Sequence, residues 1–150
     1  MFRSFLLCNL NPIRVGIAKT FNERDISIAM LGAYFNPVHS NPDKVQASIL
    51  KFKEHLKYAR NFNSLNIGTE TGSYNDDEWT FNPTNLTEEA YNRVRNVIAD
   101  LLATAKKYNS YIVIEGAYGH VINNPERLKR LYDDVNNGHM KITVDIYNYL

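Results

Sequence analysis

The chain has 150 residues, 44% of them hydrophobic, so it can bury one domain core but is short for a complete eight-stranded α/β barrel of about 250 residues. Its 17 basic and 16 acidic residues are interspersed, and a net charge of +1 argues against nucleic-acid or membrane-surface binding. The single cysteine, Cys8, excludes an intrachain disulfide, and the start of the chain resembles neither a signal peptide nor a membrane span. We therefore expect a cytoplasmic protein.

The N-terminal segment, residues 1–25, is the least defined part of a single domain that we expect to span 1–150. Pro12 begins a short predicted helix that ends near Asn22. Its apolar residues recur every four positions: Ile13, Ile17 and Phe21.

A first strand is predicted over 26–33, where β-branched and small residues replace the helical pattern. We expect Ile28 and Met30 to face the helices and the small alanines to face inward. The loop that follows carries two polar residues, Asn36 and His39.

Asn41 and Pro42 then predict the start of a helix of about eighteen residues, because an asparagine cap followed by proline is typical of helix N-termini. A second strand is predicted over 65–70, with Ile67 on the helix side and Glu70 on the opposite side.

The polar connection 71–86 is longer than most loops between a strand and a helix, and it contains the only tryptophan, Trp79. Loops of this length are often functional. A third helix is predicted from Thr87 to about Asn109.

The last forty residues predict a strand, a helix and a second strand. The apolar runs 111–114 and 142–144 each end on a carboxylate, Glu115 and Asp145, and the helix between them begins at Asn124. The spacing of about thirty residues is that of one βαβ unit, so the two strands are predicted to be parallel neighbours.

The order of elements predicts an α/β fold with about four parallel strands that alternate with helices. Side chains alternate along a strand, so Glu115 and Asp145 are predicted to point to the same side, away from the helices. Because both residues close their strands, the acids converge at the edge where parallel α/β proteins place ligands. Two converging carboxylates suit a divalent cation.

Five stretches of the chain resemble the xylose isomerase-like TIM barrels, specifically their sugar phosphate isomerase/epimerase group. They are Leu-Gly-Ala-Tyr-Phe-Asn-Pro-Val-His (31–39), Asn-Ile-Gly-Thr-Glu-Thr-Gly-Ser (66–73), Tyr-Ile-Val-Ile-Glu-Gly-Ala-Tyr-Gly-His (111–120), Asn-Pro-Glu-Arg-Leu-Lys-Arg-Leu (124–131) and Lys-Ile-Thr-Val-Asp-Ile-Tyr-Asn-Tyr-Leu (141–150). The resemblance implies a partial (β/α)8 barrel without the first strand and the last three.

The resemblance also implies a metal-dependent sugar or sugar-phosphate isomerase or epimerase. Glu115 and Asp145 would ligate a divalent cation, with manganese, magnesium, cobalt and zinc not distinguished, and Glu115 would also act as the base. A bound cation lowers the barrier to removing a proton beside a carbonyl by stabilising the enediolate. The family supplies further ligands and a second acid/base from later strands, so we expect this chain to be incomplete as an enzyme.

Six further residues are candidate substrate contacts on the same rim. They are Asn36, His39, Glu70, Trp79, His120 and Asn148. Trp79 could close over a sugar ring, and Asn148 stands where several relatives carry a histidine that touches substrate.

Two other functions remain open from the sequence. One is a non-catalytic α/β binding or structural module, in which both acids only cap the following turns. The other is an apurinic-site endonuclease on the same barrel, which would need more histidine ligands and a basic groove. Because strands near Ile28 and Thr143 would form open sheet edges, we also expect self-association.

Overall fold

The structure, a computed structural model, describes residues 11–149, so Cys8 lies outside the described part of the chain. From residue 11 onward, five helices or strands precede the carboxyl-terminal βαβ unit. In chain order the elements are α1 (Asn11–Asn22), β1 (Leu31–Gly32), α2 (Pro42–Tyr58), β2 (Asn66–Thr69), α3 (Glu88–Tyr108), β3 (Tyr111–Glu115), α4 (Pro125–Val135) and β4 (Met140–Thr143). Short 3-10 helices lie at Ala59–Phe62, Pro83–Leu86 and Tyr147–Tyr149.

The four strands form one parallel sheet in the order β1-β2-β3-β4, so each strand pairs with the next one in the sequence. Helices α2, α3 and α4 connect consecutive strands, as the repeating βα pattern predicts. This arrangement confirms the predicted α/β class and the partial barrel. The strands are shorter than predicted, and β1 contains two residues instead of eight.

Polar caps fix the starts of the three connecting helices. The side chains of Asn41, Thr87 and Asn124 accept hydrogen bonds from backbone N–H groups in the first turns of α2, α3 and α4. Each bond satisfies a donor that the helix itself leaves unpaired, which typically stabilises a helix by about 1 kcal/mol. The helix starts predicted from these residues are confirmed.

The hydrophobic core lies between the sheet and helices α2 and α3. Ile67 on β2 and Ile112 and Ile114 on β3 are fully buried and face the helices, as alternation along the strands predicts. The helix residues that cover them are also buried: Phe52, Leu56, Val94, Ile98, Leu101 and Leu102. This packing holds the carboxyl ends of β2 and β3 in a fixed relation.

The predicted orientation of the first strand is wrong by one residue. Leu31, not Met30, packs against the core, and Met30 lies over Gly68 on the inner face of the sheet. The Met30 sulfur is also 4.0 Å from the hydroxyl of Thr143 on β4. Met30 thus fills space above Gly68, where a side chain on β2 would collide with its sulfur.

Strand β4 differs from the central strands because its outer face is open. Ile142 is 37% exposed and Val144 is 77% exposed, although the sequence pattern predicts that both face helices. They line a groove of about 640 Å³ together with Leu128 and Tyr132 of α4. None of the helices between residues 11 and 149 is long and apolar enough to span a bilayer.

Candidate active site

Glu115 and Asp145 lie side by side at the carboxyl ends of β3 and β4. Glu115 closes β3, where it pairs with Thr143, and Asp145 follows two residues later on the same side. Glu115 is 9% exposed, and its carboxyl group lies within hydrogen-bonding reach of that of Asp145. Burial raises the pKa of Glu115, and the nearby Asp145 carboxylate raises it further. The carboxyl groups of Glu115 and Asp145 are therefore neighbours at the carboxyl edge of the sheet.

Two neutral side chains hold the Glu115 carboxylate. The Asn148 amide donates a hydrogen bond to Glu115 Oε1 at 2.7 Å, and the Tyr34 hydroxyl donates a second hydrogen bond to the same carboxyl group. Tyr34 is not among the residues predicted from the sequence. The sequence feature that could have indicated Tyr34 is its position two residues after Gly32, on the same face of the strand. In the structure the Tyr34 ring lies against Gly32, where an added Cβ would collide with it.

Glu70 adds a third carboxyl group at the end of β2. The pKa of Glu70 is raised mainly by burial, and the negative charges of Glu115 and Asp145 raise it further. Burial also raises the pKa of the Tyr34 hydroxyl, with Glu115 and Glu70 contributing through their charges. The carboxyl ends of β1, β2, β3 and β4 therefore bring one phenol, Tyr34, and three acids within electrostatic range.

His120 lies beside Glu70, in the loop that follows β3. Its side chain is 5% exposed, and its Nδ1 atom is 3.9 Å from Glu70 Oε2. The ring packs edge-on against Trp79 at 5.3 Å between centroids and hydrogen-bonds the Trp79 backbone. Burial lowers the pKa of His120, and the hydrogen bond to Trp79 opposes this shift. Trp79 thus packs on a histidine next to the acids.

The loops after β2 and β3 are joined by several buried hydrogen bonds. The N–H of Val121 donates to the Gly72 carbonyl at 3.0 Å, and the N–H of Ile122 donates to the Thr71 hydroxyl at 3.0 Å. The Asn85 amide, fully buried, donates to the Gly119 carbonyl at 2.8 Å. These bonds fix His120 relative to Glu70, because Gly119 and Val121 are its neighbours in the chain.

Asn36 and His39 lie on the rim but do not contact the three acids. The Asn36 amide donates to the Ser73 and Asp76 carbonyls at 2.6 and 2.8 Å, so it joins the loops after β1 and β2. His39 Nδ1 accepts the N–H of Asn41 at 2.9 Å. Both side chains line a rim cavity of about 350 Å³ that Tyr34 and Trp79 also line.

The carboxyl edge of the sheet offers two adjacent carboxylates that could bind a metal ion. Between residues 11 and 149, no group of three or more His, Cys, Asp or Glu side chains is arranged to hold a metal ion. Glu115 and Asp145 offer two adjacent carboxyl groups, a donor set that suits a hard or borderline divalent cation. The two residues fit the metal-ligand role that the family resemblance implies.

A parallel sheet in sequential strand order, with a helix between consecutive strands, is typical of part of an α/β barrel, a class of proteins that bind ligands at the carboxyl edge of the sheet. The sequence model described as xylose isomerase-like TIM barrel matches residues 13–150. The chain belongs to this family. No match was found among curated protein sequences.

Solved structures with the same fold have low sequence identity to this chain. The IolI protein with a bound zinc atom has a TM-score of 0.73 at 16% identity, over 91% of this chain and 47% of that chain. A xylose isomerase domain protein from Planctomyces limnophilus has a TM-score of 0.72 at 15% identity, over 92% and 50%. D-psicose 3-epimerase in the presence of D-fructose has a TM-score of 0.68 at 18% identity, over 88% and 47%. The chain spans about half the length of these proteins.

Proposed function

We propose that this chain carries the base and two metal ligands of a sugar or sugar-phosphate isomerase or epimerase. The observation that carries the proposal is the position of Glu115 and Asp145 at the carboxyl ends of adjacent parallel strands, where the Asp145 charge raises the pKa of Glu115. The names of similar structures, among them an epimerase of a ketose and a zinc-bound protein, support the same class of reaction.

Glu115 has the properties of a general base in this proposal. Its raised pKa makes it a stronger base than an ordinary carboxylate, while the hydrogen bonds from Tyr34 and Asn148 fix its orientation. Glu115 removes the proton on the carbon beside a sugar carbonyl and holds it on a carboxyl oxygen. Return of the proton to the neighbouring carbon gives an isomer, and return to the opposite face of the same carbon from another group gives an epimer.

A bound divalent cation would supply positive charge that stabilises the enediolate formed when this proton leaves. Asp145 and Glu115 would hold it. Asp145 Oδ1 also accepts the N–H of Tyr147 at 3.0 Å, which orients its carboxyl group within the turn after β4. Removal of either carboxylate should therefore weaken cation binding.

Calorimetric titration with Mn²⁺ tests the proposal directly. We expect saturable heat with the unmodified chain and at least tenfold weaker binding in Glu115→Gln and Asp145→Asn, because each variant removes one of two charged ligands. Glu78→Gln is the matched control, since Glu78 lies exposed in the loop after β2. Equal heat in all four proteins would contradict the metal site.

The absence of Mn²⁺ binding in every protein would favour the alternative of a non-catalytic binding module, in which the two acids only order the turns after β3 and β4. The endonuclease alternative has weaker support. It requires additional histidine ligands near the acids, whereas His120 is the histidine that the described residues place beside Glu70.

We also propose that the chain self-associates through the open side of β4. Val144 and Ile146 are 77% and 73% exposed, and they extend the apolar groove between β4 and α4. Sedimentation velocity should show species larger than a monomer at tens of micromolar protein, and Val144→Lys with Ile146→Lys should shift the distribution toward monomer. A sharp monomer peak for the unmodified chain at all concentrations would refute this proposal.

A further inference from the structure

His120 contains a buried acceptor or donor atom that the proposed proton transfer does not use. Among the described residues, none hydrogen-bonds its Nδ1 atom, although the side chain is only 5% exposed. A buried polar atom without a partner costs roughly 1–3 kcal/mol. Such an atom at the edge of a cluster of acids indicates a position for a ligand.

Nδ1 of His120 can bind a ligand in either direction. It is buried and has no hydrogen-bond partner within residues 11–149. A nitrogen of a neutral imidazole donates or accepts a hydrogen bond according to the tautomer of the ring. Burial lowers the pKa of His120, which favours the neutral ring.

The gap between the His120 ring and the Glu70 carboxyl group has the width for one bridging oxygen atom. At 3.9 Å, Nδ1 and Oε2 are too far apart for a direct hydrogen bond, but an oxygen at about 2.8 Å from each completes two of them. Oε2 of Glu70 and Nδ1 of His120 therefore border the same gap, and both can hydrogen-bond one bridging oxygen.

A hydroxyl group suits this gap because it donates one hydrogen bond and accepts another. We propose that Glu70 and His120 together bind one hydroxyl group of the sugar, which bridges Oε2 of Glu70 and Nδ1 of His120. This inference rests on the proposed sugar chemistry and specifies how the site recognises its substrate. It makes the pair a determinant of which stereoisomer binds, because the hydroxyl must point toward the gap.

The surrounding loops hold this pair before any ligand binds. The N–H of His120 donates to the Ala117 carbonyl at 2.9 Å, while Gly119 packs directly on the backbone of Trp79 and Phe81. A preorganised hydrogen-bonding pair discriminates strongly against a ligand that lacks the matching hydroxyl, since both partners then stay unpaired. Glu70, with a side chain 20% exposed, is the more accessible partner.

Trp79 provides a built-in reporter for the test. It is the only tryptophan in the chain, and its ring contacts His120, so ligand binding at His120 should change its fluorescence. The probes are the four D-ketohexoses: D-fructose, D-psicose, D-sorbose and D-tagatose. They differ in the configuration of two hydroxyl groups.

We expect at least one ketohexose to give a saturable change in Trp79 fluorescence. The Kd values of the four sugars should differ by tenfold or more. His120→Phe should weaken the best ligand at least tenfold, because phenylalanine keeps an aromatic ring there but has no nitrogen to bind the hydroxyl. Glu70→Gln should stay within about threefold of the unmodified chain, since its amide can still hydrogen-bond a hydroxyl, whereas Glu70→Leu should lose tenfold or more. His55→Phe, which changes a histidine on α2 that bonds the Lys51 backbone, is the matched control and should not change Kd.

Two results would overturn the inference: no saturable response to any of the four sugars, or equal Kd in His120→Phe and the unmodified chain. Circular dichroism of each variant verifies folding. Failure of the proposed reaction would look different. If the ketohexose binds through His120 but its carbon-bound hydrogen does not exchange with solvent deuterium, the hydroxyl subsite stands and the isomerase proposal falls.

Discussion

Glu115→Gln should lower the rate at which the ligand's carbon-bound hydrogen exchanges with solvent deuterium by about 10²- to 10⁴-fold, the usual contribution of a general base. The substitution removes the basic oxygen but retains the shape of the side chain and an oxygen that accepts from Asn148. The reaction is run in deuterium oxide with Mn²⁺ and the ketohexose that binds best, and proton NMR after removal of Mn²⁺ by a chelator measures the loss of the signal.

The loss of a base and the loss of a metal ligand are distinguished by a second variant. Asp145→Asn should reduce exchange mainly through weaker cation binding, so a higher Mn²⁺ concentration should restore much of its rate. Glu115→Gln should remain slow at saturating Mn²⁺, because added cation does not replace the base. Glu78→Gln should exchange at the unmodified rate. If Glu115→Gln recovers fully with Mn²⁺, Glu115 is a ligand and not the base.

The parts of the fold that local chemistry determines could be predicted from the sequence. Asn41 and Asn124 followed by proline, and Thr87 followed by two glutamates, predict the helix starts that the structure has. Alternating and continuous apolar runs predict β2 and β3. The adjacency of Glu115 and Asp145 follows from the spacing of one βαβ unit, since parallel strands bring their carboxyl ends together.

The orientation of β1 could not be predicted because its pattern is ambiguous. Residues 26–33 contain apolar side chains at nearly every position, and the two residues that pair with β2 are Leu31 and Gly32. Met30 and Tyr34 are four residues apart and so lie on the same face of the strand. Because Met30 is on the inner face and not the helix face, Tyr34 is on the inner face too. The error in Met30 therefore explains why the sequence pattern does not reveal Tyr34, which binds Glu115.

The partners of His120 depend on contacts between loops that are far apart in sequence. The His120 ring is buried against Trp79, forty-one positions earlier, and its neighbours bond Thr71, Gly72 and Asn85. No period or cap encodes these contacts. A sequence pattern can place His120 after β3, but the unpaired Nδ1 atom and its distance from Glu70 are properties of the folded loops.

Gly72→Ala should destabilise the chain by about 2–4 kcal/mol, the largest stability effect that we expect from adding one methyl group. Gly72 has a φ of 67°, a conformation that residues with a Cβ adopt at a cost. A Cβ there would also collide with the side chain and the Cα of Asn36, which is bonded to the Ser73 and Asp76 carbonyls and cannot move away cheaply. Urea denaturation measures the change.

The consequence should extend from stability to the ligand site, because the Gly72 carbonyl accepts the N–H of Val121 next to His120. Gly72→Ala should therefore weaken ketohexose binding even at temperatures where the chain stays folded. Gly16→Ala is a control of opposite sign: this glycine lies inside α1 with nothing within 4 Å of an added Cβ, so alanine should stabilise the helix by about 0.5–1 kcal/mol. Equal stability of Gly72→Ala and the unmodified chain would show that the loop after β2 yields, and would remove the rigid support on which recognition by His120 depends.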